Sequence, residues 1–122
     1  MSARNVVVLG ATPKTDRFAY RAMKMLREYG ERPIPVNPAF KEILGETCYA
    51  SISEVPEPID TVTVYIGAAR SEALIAEIVS ARPRRIIFNP GAENERLARE
   101  AEATQIQVVH DCTLVMLQAG AF

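Results

Sequence analysis

Several short runs of this chain are apolar at consecutive positions instead of alternate ones, and stretches with helical spacing separate them. The first, Val6-Val7-Val8-Leu9, has no polar face at all and stops on Gly10. Such strands need cover on both sides, and parallel neighbours need right-handed crossovers long enough for a helix. The pattern predicts strands over 6–9, 33–36, 61–66, 85–88 and 107–109, with breaks at Pro56-Glu57-Pro58 and Asn89-Pro90-Gly91. It predicts helices over 15–29, 71–80 and 94–103, and a short one near the C-terminus. In the first of these, Phe18, Ala19, Ala22, Met23, Met25 and Leu26 form one stripe, and Gly30 is placed to cap it. The fold class is therefore α/β: a Rossmann-like, doubly wound, three-layer domain around a five-stranded parallel sheet. The expected strand order is 3-2-1-4-5, with a ligand crevice outside the carboxyl ends of the first and fourth strands.

A chain of 122 residues suits a single domain spanning 1–122. Charged residues make up 24% and the formal charge is -1, so the chain is no polycation and nucleic acid is not an expected partner. The N-terminal apolar run is far shorter than a membrane span and leads into a charged helix, which predicts a cytoplasmic protein without a membrane partner. Cys48 and Cys112 form no CxxC pair and have no histidine at metal spacing, so no metal site and no disulfide framework is expected.

Three segments converge on the predicted crevice: Gly10-Ala11-Thr12-Pro13-Lys14, Asn37-Pro38 and Asn89-Pro90-Gly91. A glycine at a strand end followed by open helix amides is suited to holding an anion. The turn lacks the second and third glycines of GxGxxG, which argues against a tight dinucleotide pyrophosphate fit. Lys14, with Arg17 beyond it, adds positive charge there, or is simply a solvated surface cation. Asn37 stands where an NAD-binding unit usually carries an acidic residue for the ribose diol. Its neutrality suits a ribose bearing a phosphate, although Asn37-Pro38 also reads as a plain strand-terminating turn. Asn89-Pro90-Gly91 either borders a ligand or serves only as a turn before a helix.

Together, Val8 to Lys14, Pro35-Val36-Asn37-Pro38, Ile43-Leu44-Gly45, Cys48-Tyr49, Asp60-Thr61-Val62 and Asn89-Pro90-Gly91 resemble the small stand-alone CoA-binding proteins. These are similar to the N-terminal domain of the succinyl-CoA synthetase alpha subunit. The resemblance implies coenzyme A, or an acyl-CoA, as the ligand, held through its ADP half. Gly10, Ala11 and Thr12 would then offer backbone and hydroxyl donors to the pyrophosphate, and Lys14 and Arg17 would neutralise it. Asn37 and Pro38 would border the adenosine. Ile66, Gly67 and Ala68 would cover the adenine or the start of the pantetheine arm, and Asn89, Pro90 and Gly91 would line that arm's path. Relatives often carry a lysine directly after Asn-Pro, whereas Ala39 and Phe40 intervene here before Lys41.

No paired carboxylates, GxSxG elbow or Walker motif is present, so the expected role is a non-catalytic binding, carrier or regulatory module. Two other readings stay open. One is an NAD(H)-binding redox sensor or oxidoreductase component. The other is a small acyl-CoA or thiol-exchange enzyme using Cys112, with His110 nearby in sequence. The Leu114-Val115-Met116-Leu117 run and Phe122 predict a covering surface, and hence a homodimer.

Overall fold

The computed structural model describes residues 3–122. Its main sheet contains five parallel strands: β1 (Asn5–Leu9), β2 (Arg32–Val36), β5 (Thr61–Val64), β6 (Arg85–Phe88) and β7 (Gln107–His110). Between β2 and β5 lies a two-stranded hairpin, β3 (Glu42–Ile43) and β4 (Glu46–Thr47), followed by a 3₁₀ turn at Ile52–Glu54. Leu44 and Gly45 at the hairpin tip have φ of 52° and 78°, the left-handed pair that matches a two-residue hairpin to the twist of its strands. Helices α1 (Phe18–Glu28), α2 (Ala68–Ser71), α3 (Ile75–Ser80), α4 (Glu95–Ala103) and α5 (Thr113–Gln118) complete the layers.

Alternate strand residues divide between two cores. Val7, Leu9, Val62, Val64, Ile86 and Phe88 pack with Ile75, Ile78, Leu97 and Ala101 of α3 and α4. Val6 and Val8 pack on the opposite face with Ala19, Met23, Leu26 and Leu117 of α1 and α5. β1 is apolar on both faces as expected, whereas β5 and β6 turn buried Thr61, Thr63 and Arg85 to the second face; the three-layer, doubly wound parallel sheet stands.

The strand order differs from the expected 3-2-1-4-5. Counting only the strands of the main sheet, the order is 2-1-3-4-5, because β5 pairs with β1 and not with β2. The cause lies in β2. Arg32 donates its amide to the Arg4 carbonyl and Val36 accepts from the Gly10 amide, so residues 32, 34 and 36 face β1. Pro33 and Pro35 fall on the other edge, where their ring nitrogens offer no donor to a further strand. That edge is closed by Tyr49, which donates to the Pro35 carbonyl at 3.0 Å and accepts from Asn37 at 2.9 Å. The winding therefore reverses between β1 and β5, and the crevice moves to their carboxyl ends.

Two helices also depart from expectation. Residues 15–17 form a turn, closed by the Arg17 amide on the Lys14 carbonyl, and α1 begins only at Phe18. The helix expected over 71–80 starts earlier, at Ala68, and a 3₁₀ turn at Glu72–Leu74 divides it. At that division Ser71 is fully buried and receives a 2.8 Å hydrogen bond from Asn94, the cap of α4.

Candidate functional site

The carboxyl ends of β1, β5 and β6 open into a cleft of about 420 Å³. Gly10, Thr12, Lys14, Arg17, Asn37, Ile66, Gly67, Asn89, Pro90 and Gly91 all line it, so most of the residues singled out in the sequence meet there. Pro38 lines an adjoining cleft of about 300 Å³, walled by Ile52, Ala73 and Leu74. Ala11 and Ala68 line neither: Ala11 is fully buried in the core beneath α1, and Ala68 opens α2.

The turn after β1 requires glycine on grounds internal to the protein. Gly10 has φ of +93°, and a Cβ there would stand 2.7 Å from Ile66 Cγ2 and 3.3 Å from the Tyr65 carbonyl group. The backbone of Gly10 thus comes close to the segment that follows β5. The Gly10 amide is spent on Val36, 3.0 Å away. Among the described residues the amides of Ala11 and Thr12 donate to no protein acceptor, and the Thr12 hydroxyl accepts from the Lys14 amide at 3.2 Å. Helix α1 has no side-chain cap and no acidic residue in its first turn. Its first amides, those of Phe18 and Ala19, lie where both residues border the larger cleft.

The two asparagines act as braces. Asn37 Nδ2 donates to the Ala11 carbonyl at 2.9 Å, and its Oδ1 accepts from Ala39 at 2.9 Å, which ties the Asn-Pro turn to the first loop. Asn89 is buried; its Nδ2 donates to Thr63 Oγ1 at 2.7 Å and the Val64 carbonyl at 2.9 Å, while its Oδ1 accepts from Thr113 at 2.9 Å. The side chain of Asn89 therefore faces the core. The Gly91 amide is occupied by both carboxylate oxygens of Glu93, at 3.0 and 3.2 Å.

The lining of the larger cleft holds three cations, Lys14, Arg17 and Arg70, and no carboxylate, histidine or thiol. A cleft of one charge sign focuses the field on anions. Phe18, Phe40, Tyr65 and Arg70 also line it, and sequence reasoning passed over them. Phe18 is 65% exposed at the start of α1, whereas Ala19, Ala22, Met23 and Leu26 of the same apolar stripe are buried.

A sequence profile described as CoA binding domain matches residues 4–118 of this chain. The chain belongs to the CoA binding domain family. Over 63 residues it is 36% identical to an ADP-forming acetate–CoA ligase of Archaeoglobus fulgidus, a match covering 52% of this chain and 9% of the ligase. Over 72 residues it is 35% identical to a Bacillus subtilis protein, YneT, covering 59% of this chain and 51% of that one. A crystal structure with 42% identity superposes with a TM-score of 0.93 over the full length of both chains. A structure from Thermus thermophilus, 30% identical, gives 0.90 over 98% of this chain and 91% of its own.

Neither cysteine of this CoA binding domain lines the clefts. Cys48 is buried, which pushes its thiol above the usual range. Cys112, at the start of α5, is partly exposed. Burial first, then the nearby Cys112, push the Tyr65 phenol well above its ordinary range. The Tyr65 hydroxyl makes no hydrogen bond among the described residues, although Thr63 and Thr113, bonded to each other at 2.8 Å, are its polar neighbours. Cys112 itself lines neither cleft. His110 stacks on Phe88 at 5.2 Å instead of pairing with the thiol. No metal-ligating cluster occurs among the described residues, and no described helix is long and apolar enough to cross a membrane.

Proposed function

We propose that the protein binds coenzyme A, or an acyl-CoA, through its ADP half, and serves as a carrier or regulatory module without catalysis of its own. The supporting observation is the pair of joined clefts in a CoA binding domain: a cationic one lacking any carboxylate, and an apolar one beside Asn37-Pro38. The diphosphate would lie against the loop from Ala11 to Thr12 and the start of α1, neutralised by Lys14 and Arg17. The adenine would enter the smaller cleft between Pro38 and Leu74. Pantetheine would leave along Pro90 and Gly91, clear of the occupied Gly91 amide.

The acetate–CoA ligase match covers only a small part of that enzyme, so a partner supplying the chemistry is consistent with this role. The larger cleft's lining carries no carboxylate pair, histidine or thiol, in keeping with a binding module. A cytoplasmic location and a homodimer belong to the same proposal. Met116 and Leu117 are covered within the chain, which leaves Val115, 54% exposed, as the part of the C-terminal run that a second copy would cover.

Native mass spectrometry of protein purified without added ligand tests the binding, with titrations of CoA and NAD(H) in parallel. A retained or titratable CoA mass, with NAD(H) binding at least about tenfold weaker, is the expected result. Preference for NAD(H), or no nucleotide binding, would overturn it.

A further inference from the structure

Where the two clefts meet, they share Gly10, Asn37, Ile66 and Arg70, and Arg70 is the charged one. We infer that Arg70 receives the ribose 3′-phosphate of coenzyme A, and so sets the preference for that nucleotide over one lacking the phosphate. The inference rests on the binding mode proposed above and assigns one specificity residue within it. A nucleotide lying across both clefts must place its ribose at their junction, between the base and the diphosphate. A phosphate on that ribose then projects toward whatever lines both.

Arg70 is suited to the task. It is exposed, and among the described residues its guanidinium makes no ion pair and no hydrogen bond. Five other arginines are committed, Arg4 to Glu31, Arg27 to Glu46, Arg32 to Glu57, Arg84 to Asp60 and Arg96 to Glu72, and Arg17, unpaired like Arg70 among the described residues, lines only the larger cleft. A planar guanidinium can grip a phosphate with two parallel hydrogen bonds. Lys41, the nearest cation after Asn37-Pro38 in sequence, lines neither cleft, and its carbonyl accepts from Cys48 in the hairpin. The carboxylate facing the smaller cleft, Glu77, has one oxygen engaged by the Ser53 amide at 3.0 Å and makes no bridge to Arg70.

Calorimetric titrations of CoA and 3′-dephospho-CoA into the wild type and into Arg70→Gln, Lys14→Gln and Lys41→Gln test this. The wild type should prefer CoA by about tenfold or more, and Arg70→Gln should erase that preference by weakening CoA alone. Lys14→Gln should weaken both nucleotides equally, and Lys41→Gln neither. A wild type that binds neither nucleotide removes the proposed function itself. A wild type that binds both equally, or an Arg70→Gln variant that keeps the preference, overturns the assignment of Arg70 and leaves the proposed function standing.

Discussion

Gly10 and Ile66 meet at the junction of the two clefts, where a Cβ on Gly10 would come within 2.7 Å of Ile66 Cγ2. The contact holds the end of β1 against the segment that follows β5, and so fixes the floor of the site. Replacing Gly10 with alanine adds both a clash and a side chain at φ +93°. Gly10→Ala should lower stability by about 2–4 kcal/mol in urea denaturation. Ile66→Ala removes the clashing methyl at the cost of a cavity. The double variant should therefore be at least about 1 kcal/mol more stable than the sum of the single losses implies. Strict additivity would mean that the two residues do not collide.

Asn89 joins three elements through its side chain, so its loss should be felt in stability before binding. Asn89→Ala strips partners from buried Thr63, Val64 and Thr113, and should cost about 2–4 kcal/mol in chemical denaturation. CoA affinity of the folded variant should stay within about threefold of wild type, because the side chain faces the core. A large affinity loss at unchanged stability would turn Asn89 into a ligand contact.

The alternation of buried strand and helix was legible because a sheet covered on both faces leaves a continuous apolar signal. The edge position of β2, which the expected order missed, is signalled by Pro33 and Pro35: two prolines two residues apart remove donors from the same edge. The rule that winding reverses once does not say where it reverses, and those prolines do. The convergence of Gly10, Asn37 and Asn89 also followed from the fold, but the destinations of their polar groups did not. Gly10 serves its neighbour strand, and Asn37 and Asn89 brace the loops. Such contacts join residues about 25 apart in sequence and appear only once the strands are in register. Arg70 carried no local signal, since an arginine near the start of a helix is common on any surface.

Asp60 should tie stability to acid pH. Burial alone would raise its carboxyl, but hydrogen bonds from Arg84 and Thr61 and the charges of Arg84 and Arg4 outweigh that and hold it below its ordinary value of 3.8. A carboxylate lowered in the folded state stabilises the protein above its unfolded value and loses that contribution as pH falls through the folded one. Glu31, paired with Arg4, is lowered in the same way from 4.5. Arg84 is half exposed, so screening keeps the Asp60 contribution modest. Asp60→Asn should cost about 1 kcal/mol at neutral pH and should flatten the fall in stability below pH about 4. Stability curves of equal slope for variant and wild type would show that the pair does not drive acid unfolding.

The two thiols should differ in reactivity. Cys48 is 7% exposed and its thiol is pushed up by burial, while Cys112 is partly open to solvent. The thiolate is the reacting species, so burial slows Cys48 through both access and ionisation. Iodoacetamide followed by mass spectrometry should modify Cys112 at least about tenfold faster than Cys48 in the native protein. Because Cys112 lies outside the lining of both clefts, saturating CoA should change its rate by less than about twofold, and Cys112→Ser should keep CoA affinity. Strong protection by CoA, together with lost affinity in Cys112→Ser, would bring the thiol into the site and favour thiol exchange over simple binding.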